Sequence, residues 1–598
     1  MILCASVSLG FGREALAASD RDDPVTTALL SPATGDVSHE PTLPTPLSPA
    51  DAARYGRIFR LQEKAQWQAA DAEIAAVDDR ILVGSVLAQR YLSTTYRTGF
   101  AEARDWLTKY ADQPEARLIA DLAARRRVGG GALAKPEPGA PLRGSMPADP
   151  ADLHPIAVMN DKAGSDKVAE ALKAKIRTAT RTDPTEAAAL LLREETVQSI
   201  DEAELDALRV DVAEALRHQG RDADALMLAG KAKSKAYQPI AHWQAGLAAW
   251  RLRHFSEAGM HFEALARSPN MSNWNVAAGA FWAARAYLVT KRPQMVNYWL
   301  GIAADQPRTF YGLIARRMLG LEPDFSFAAA TLDAPNIATL NKLPGGRRAM
   351  ALLQIGETHR AEAELRAVAG KSTPGFARAV VALADLANMP SLSLQLGSAL
   401  TQVDGRRHDD ALYPVPRWQP TTGFSVDRAL LFALMMQESL FDIEARSGSG
   451  AAGLMQLMPG TARAMATRIG LKIRSTDELD DPVLNLTLGQ EYVRNLVDHD
   501  FVRGNLVLLI AAYNSGPQPI PQWQNQADTP NDPFMFIESM PRQETRLFVE
   551  RVLTNLWIYR QRLNQATPEL DKLAAGKWPT YVALDDSAQG TTRYAAAR

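Results

Sequence analysis

The chain has 598 residues, 46% apolar and 22% charged, with Lys+Arg 66 against Asp+Glu 68 and a formal net charge of -2. That length holds several domains with sizeable cores, and the balanced charge excludes both a general nucleic-acid binder and a long acidic tail. One cysteine, Cys4, excludes an internal disulfide and a cysteine zinc site. With no His-Glu-x-x-His, Gly-x-x-x-x-Gly-Lys or Asp-x-Asp-x-Asp-Gly spacing, neither a metal nor a cofactor is expected.

The opening apolar stretch Met1–Phe11, followed by Ala15-Leu-Ala-Ala-Ser19, has the small-residue look of a signal-peptidase site, although a basic start is missing. It reads as a signal-peptide remnant or as an ordinary terminus; the first places the protein outside the cytoplasm. Residues 20–49 are rich in Pro, Thr, Ser and Asp without apolar period, so 1–50 is expected to be leader and tail. From Asp51 apolar residues recur at helical spacing, as in Tyr55, Ile58, Phe59 and Leu61, with a Gly/Pro-rich break near 128–150. Helical patterning then resumes to the end of a 51–403 region.

Within it, His242-Trp243 to Trp250, Phe255 to Leu265, Phe281-Trp282 to Tyr287 and Asn297-Tyr298-Trp299 repeat aromatic and small residues at a period of about 35 to 40. Stacked helical hairpins are predicted, an α-solenoid in preference to an irregular bundle. No run of about 18 uncharged apolar residues occurs, so no transmembrane segment is expected. Prolines 414, 416 and 420 with Thr421-Thr-Gly423 mark a linker at 404–423, ahead of a compact 424–570 region and a polar 571–598 tail.

The 424–570 region holds every chemically suggestive motif. Ser425 is a suitable N-cap for a helix running through Leu430, Leu431, Phe432, Leu434, Met435 and Met436 to Glu438. A helix apolar all round is buried, so Glu438 in its last turn either reaches a cleft or carries a desolvation penalty. Burial and the negative helix end both raise its pKa, and a carboxyl kept protonated near neutrality can act as a general acid. The bland alternative is a Glu that reaches solvent or pairs with Arg446. Ser447-Gly448-Ser-Gly450-Ala-Ala-Gly453 then forms a tight glycine loop, followed by Leu454-Met-Gln456-Leu-Met458. An amide at Gln456 suits either a sugar hydroxyl or a satisfied core contact.

In these residues the chain resembles the soluble lytic transglycosylases. The matching motifs are Glu438-Ser439, Ser447, Gly450-Ala451, Gly453-Leu-Met-Gln456 and Met458-Pro459; then Asp481-Pro482 with Asn485; then Ala511-Ala-Tyr513-Asn514-Ser-Gly516-Pro517; and Glu538-Ser-Met-Pro541 with Glu544-Thr-Arg546. Phe281 to Ala286 and Gln306 to Gly312 look like the superhelical arm of the large members. The resemblance implies a mainly α protein, with an N-terminal superhelical arm and a C-terminal α+β lysozyme-like catalytic domain.

It also implies a periplasmic enzyme acting on peptidoglycan glycan strands and muropeptides. Glu438 would be the single acid/base, and Ser447, Gln456, Met458, Tyr513, Asn514 and Glu544 would bind substrate. For Tyr513 the alternative is packing beneath the Gly-Pro turn, and for Glu544 a surface pair with Arg542 or Arg546. Asp442 would stand one turn beyond Glu438 if the helix continued; the helix is expected to end first. Two other readings stay open, a muramidase that hydrolyses the same bond and a helical-repeat scaffold with an inactive domain.

Overall fold

The structure, a computed structural model, describes residues 43–126, 132–137, 167–269, 271–328, 330–369, 373–404, 407–526 and 531–585. The signal-peptide reading, most of the 20–49 tail and of the 128–150 break, and the last residues of the 571–598 tail lie outside these. Among the described residues the chain is helical, with two short 3-10 turns and three isolated β-bridges. No described helix is long and apolar enough to cross a membrane.

Mainly α is therefore the fold class, and the β component expected of the catalytic domain amounts, among the described residues, to isolated bridges. The physical reason lies in the chain between the Glu438 helix and Pro459. Leu440, Phe441, Gly450, Gly453 and Gln456 all have positive φ there, so the backbone turns back before an extended run can pair. What remains are the single bridges Arg446–Ala452 and Ala452–Leu457.

The chain forms two compact units. The first joins Met1–Ser145 to Ser326–Arg417. Its core gathers Tyr55, Ile58, Phe59 and Leu82 with Leu352, Leu365, Val380 and Leu383. The Gln354 amide clamps the Leu47 backbone, accepting from its N–H at 2.8 Å and donating to its carbonyl at 2.9 Å. Arg348 grips Glu364 through two hydrogen bonds of 2.6 and 2.9 Å. Burial dominates over that pairing and pushes the Glu364 carboxyl up to about 7.

The second unit joins Met146–Phe325 to Trp418–Arg598. Its first half packs each helix mainly on its sequence neighbours, as stacked hairpins require: Gln238–Arg251 on Phe255–Ala266, that on Asn273–Val289, and that on Pro293–Ala304. Small residues set the spacing. A Cβ on Gly279 would lie 2.8 Å from the Phe262 carbonyl oxygen and 2.9 Å from the Ala266 nitrogen. Edge-on aromatic contacts of Trp282 with Trp243 (6.4 Å) and Trp250 (5.1 Å) fill the space between the hairpins.

The hairpins also reach the second half of the same unit. Arg285 lies over Trp282 at 4.4 Å and Phe534 at 4.9 Å, and pairs with Asp532 at 2.7 Å. Asp532 caps the helix Pro533–Glu538 by accepting from the N–H groups of Phe534 and Met535. Residues 571–585 fold back on the Glu438 helix. The Asp427 N–H donates to the Tyr581 hydroxyl at 2.9 Å, and Arg428 pairs with Asp585 at 3.0 Å.

Candidate active site

The Glu438 helix spans Arg428–Ser439, and its N-cap is Asp427, which accepts from the Ala429 N–H at 3.0 Å. Ser425 was the sequence candidate for that cap. Its own N–H instead donates to the Gln490 side-chain oxygen at 2.7 Å, which holds Ser425 outside the helix. Asp427 is the better cap here because the buried Arg560 guanidinium lies 3.3 Å away and stabilises its charge. Ala429 to Met436 are buried on every side, so packing, at roughly 1.5–3 kcal/mol per large apolar side chain, holds the helix.

The helix stops at Ser439. Leu440 and Phe441 take φ of 52° and 63°, two consecutive left-handed residues that cost roughly 1–2 kcal/mol each. Burial of the Phe441 ring offsets that strain. Asp442 is thereby turned away from the helix axis; it is exposed and accepts from the Glu444 N–H at 3.0 Å. It is not among the groups that act on Glu438.

Glu438 is partly exposed, and no described residue hydrogen-bonds its carboxyl. Arg446, its alternative partner, pairs with Asp480 at 2.5 Å. Burial first, and the Glu544 carboxylate second, push the Glu438 carboxyl up to about 8. Glu544 lies exposed in the first turn of the helix Gln543–Arg562. Neither arginine weighed as its partner takes it, because Arg546 faces the interior toward Glu214 and Glu538.

The glycine loop is closed on itself. Ser447 Oγ accepts from the Ala451 N–H at 2.9 Å, and the Gln456 amide nitrogen donates to the Ala445 and Gly453 carbonyls at 3.0 and 2.9 Å. The donor end of Gln456 is thus spent on the loop and its carbonyl end is free to accept from a ligand. Met458 is 44% exposed and stands at the start of the helix Pro459–Arg468. Tyr513 is buried and its hydroxyl donates to the Met455 carbonyl at 2.8 Å. Asn514 is partly exposed and accepts from Thr545 Oγ1 at 2.7 Å, which joins the end of the helix Leu506–Ser515 to the start of the helix bearing Glu544.

Asn485 pins the loop from beneath. It is fully buried, its amide donates to the carbonyls of Ala452 (3.0 Å) and Leu479 (2.9 Å), and its oxygen accepts from the Met455 N–H at 2.9 Å. A Cβ on Gly453, whose φ is +74°, would come within 2.1 Å of that amide nitrogen, so only glycine fits. Asn485→Ala is expected to cost about 2–4 kcal/mol, because three buried backbone groups lose their partner. Urea denaturation followed by circular dichroism measures it, and a loss under about 0.5 kcal/mol contradicts this account of the loop.

The motifs also missed a residue. Tyr492, on the helix Pro482–Val497, packs against Tyr513 with ring centroids 5.3 Å apart and feels the Glu438 charge. Nothing in its spacing sets it apart from an ordinary half-buried tyrosine, which is why sequence reasoning passed it over.

Comparison with known proteins bears on this site. Residues 419–534 match the family model described as the transglycosylase SLT domain, and the matched segment holds Glu438, the glycine loop and Tyr513. The chain is 33% identical over 141 residues to the soluble lytic murein transglycosylase of Escherichia coli K12, covering 23% of this chain and 22% of that protein. It is 32% identical over 146 residues to the protein of the same name from Salmonella typhimurium, covering 24% and 22%. The alignments thus span about a fifth of each relative's length. In fold, the chain is similar to an inactive mutant of lytic transglycosylase Slt from Pseudomonas aeruginosa, with a TM-score of 0.54 at 21% identity, covering 87% of each chain.

Proposed function

We propose that this chain is a peptidoglycan lytic transglycosylase, with Glu438 as its only acid/base. The observation that carries the reading is a carboxyl at the end of a buried helix, held up to about 8 and without a cationic partner among the described residues. At pH 7 such a group is protonated over ionised by roughly ten to one, ready to donate. In the first step it protonates the glycosidic oxygen between N-acetylmuramic acid and N-acetylglucosamine, and the C1–oxygen bond breaks. The carboxylate left behind is a strong base for the same reason. It takes the proton of the muramic C6 hydroxyl as O6 attacks C1 and closes a 1,6-anhydro ring, which returns Glu438 to its starting form. The nucleophile is already tethered to the electrophile, so effective molarity replaces a positioned water and a second carboxylate.

Ser447, Gln456, Met458, Tyr513, Asn514 and Glu544 are read as the substrate-binding surface around Glu438, residues 424–570 as the catalytic domain and the helices of 51–403 as a superhelical arm that handles the glycan strand. Peptidoglycan as substrate places the protein in the periplasm. No metal or other cofactor enters the scheme.

The products test the reading. Purified enzyme given peptidoglycan should release muropeptides ending in 1,6-anhydro-N-acetylmuramic acid, with no gain of reducing ends. Mass spectrometry showing products heavier by one water, reducible with borohydride, would establish a muramidase instead and point to Glu544 as the base that activates the water.

A further inference from the structure

We propose that Tyr492 is the phenol that donates a hydrogen bond to a sugar oxygen beside the bond being cleaved, with Tyr513 as the wall that holds it there. This rests on the transglycosylase reading of Glu438.

The two tyrosines are differently engaged. Tyr513 is buried, its ring stacks on Phe548 at 6.3 Å and 6°, and its proton is already given to the Met455 carbonyl. A phenol so placed can accept from a ligand but has no proton left to donate. Tyr492 is partly exposed, and its hydroxyl has no partner among the described residues. Its ring lies against the Tyr513 ring at 5.3 Å and 48°, which leaves little freedom beyond rotation of the O–H.

The helix that carries Tyr492 is also fixed. One turn earlier, Gly489 meets Met455 so closely that a Cβ would lie 2.1 Å from its sulfur, and one turn before that stands Asn485, bonded three times to the loop. A rigid helix thus presents a free donor against the Tyr513 ring, within range of the Glu438 charge. Other polar groups of the site are partly spent. Ser447 Oγ and Asn514 Oδ1 hold the protein's own donors, and the Gln456 amide nitrogen holds two carbonyls.

Burial and the nearby Glu438 carboxylate both raise the Tyr492 phenol above its ordinary value. It therefore keeps its proton throughout the range in which Glu438 titrates. Such a donor suits a neutral sugar oxygen, a hydroxyl or the N-acetyl carbonyl, on a residue flanking the scissile bond.

Tyr492→Phe preserves the ring and removes only the hydroxyl. Release of anhydro-muropeptides from soluble glycan strands should fall about five- to tenfold in kcat/KM, as expected for one lost neutral hydrogen bond. The melting temperature should stay within about 1 °C, and the alkaline limb set by Glu438 should not move, since no charge is removed. In the Glu438→Gln background, titration calorimetry with the same strands should show weaker binding when Tyr492→Phe is added. Activity within twofold of wild type together with unchanged strand binding overturns the proposal, and so does a loss of activity matched by a lower melting temperature. If the wild-type enzyme releases no anhydro products, the transglycosylase reading fails and takes this proposal with it; if wild type cleaves and Tyr492→Phe cleaves equally well, only the tyrosine assignment fails.

Discussion

Glu438→Gln is expected to lower the rate of glycan cleavage by roughly 10²–10⁴-fold while raising the stability of the protein at neutral pH. Both effects follow from one property, a carboxyl that the fold holds up to about 8 when the unfolded chain leaves it near 4.5. The amide keeps the volume and one donor, yet can neither give up a proton nor take one back, so both steps of the proposed mechanism lose their agent.

The stability effect has a definite sign. Between pH 4.5 and 8 the native state holds a proton that the unfolded state has released, so stability falls as pH rises through that window. By pH 7 the group costs roughly 2–3 kcal/mol relative to pH 4, a cost that glutamine does not carry. The variant should therefore match wild type near pH 4 and exceed it at pH 7–8 in urea midpoint. Wild-type kcat should decline with a limb near 8, and Glu544→Gln should lower that limb by removing the neighbouring like charge. Cleavage within a few-fold of wild type would remove Glu438 from the mechanism, and a variant less stable than wild type at pH 8 would contradict the electrostatic account.

How much of this was legible from residue order varies with the range of the interaction. The all-apolar run from Leu430 to Met436 betrays a buried helix, and a glutamate at its end has few fates open to it. The glycine loop was equally plain, because positions 450 and 453 take φ of +89° and +74° that other residues rarely adopt. The early stop of the helix was expected, but no residue announces it: neither Leu440 nor Phe441 is a usual left-handed residue, and the turn is held by burial from elsewhere in the fold.

The N-cap was misplaced by two residues for a similar reason. Ser425 and Asp427 are both good caps locally, and the choice between them is made by Gln490, Arg560 and Tyr581, all more than 60 positions away in the chain. Tyr492 was invisible on the same ground, since its interest lies in two side chains that other helices bring to it. Glu538 stands in the same motif as Glu544 but has a different fate: it is 1% exposed and accepts from the Tyr311 hydroxyl at 2.5 Å, committed to the interior.

That interior position makes Arg546→Met the substitution expected to destabilise the protein most. The Arg546 guanidinium, 1% exposed, donates twice to one Glu214 oxygen at 3.3 Å and lies 3.7 Å from Glu538. Glu538 is in turn hydrogen-bonded to Glu550, and Trp282 donates to the Tyr311 hydroxyl at 3.1 Å. Arg217, fully buried, adds a second guanidinium to the three carboxyls. Glu550 is raised well above the ordinary carboxylate range, by burial first and by the Glu538 charge second, so it is the carboxyl of this cluster that most strongly favours holding a proton.

Methionine at 546 removes the guanidinium that hydrogen-bonds Glu214 and lies 3.7 Å from Glu538, a loss of about 3–5 kcal/mol by the usual cost of breaking a buried pair. Glu550→Gln, in contrast, puts an amide of the same size where the cluster disfavours the charged carboxylate, and should cost less than about 1 kcal/mol. It should also flatten the fall in stability that the shared proton causes above pH 4.5, since wild type must hold that proton against an increasingly alkaline solvent. Urea midpoints of the two variants from pH 5 to 8 decide the matter. Near-equal losses would mean that Glu550 is ionised and that the cluster is balanced in some other way. Arg546 lies on the helix that carries Glu544 two residues earlier, so the same cluster fixes the register with which that carboxylate faces Glu438, and loss of Arg546 should displace the alkaline limb of activity as well as the urea midpoint.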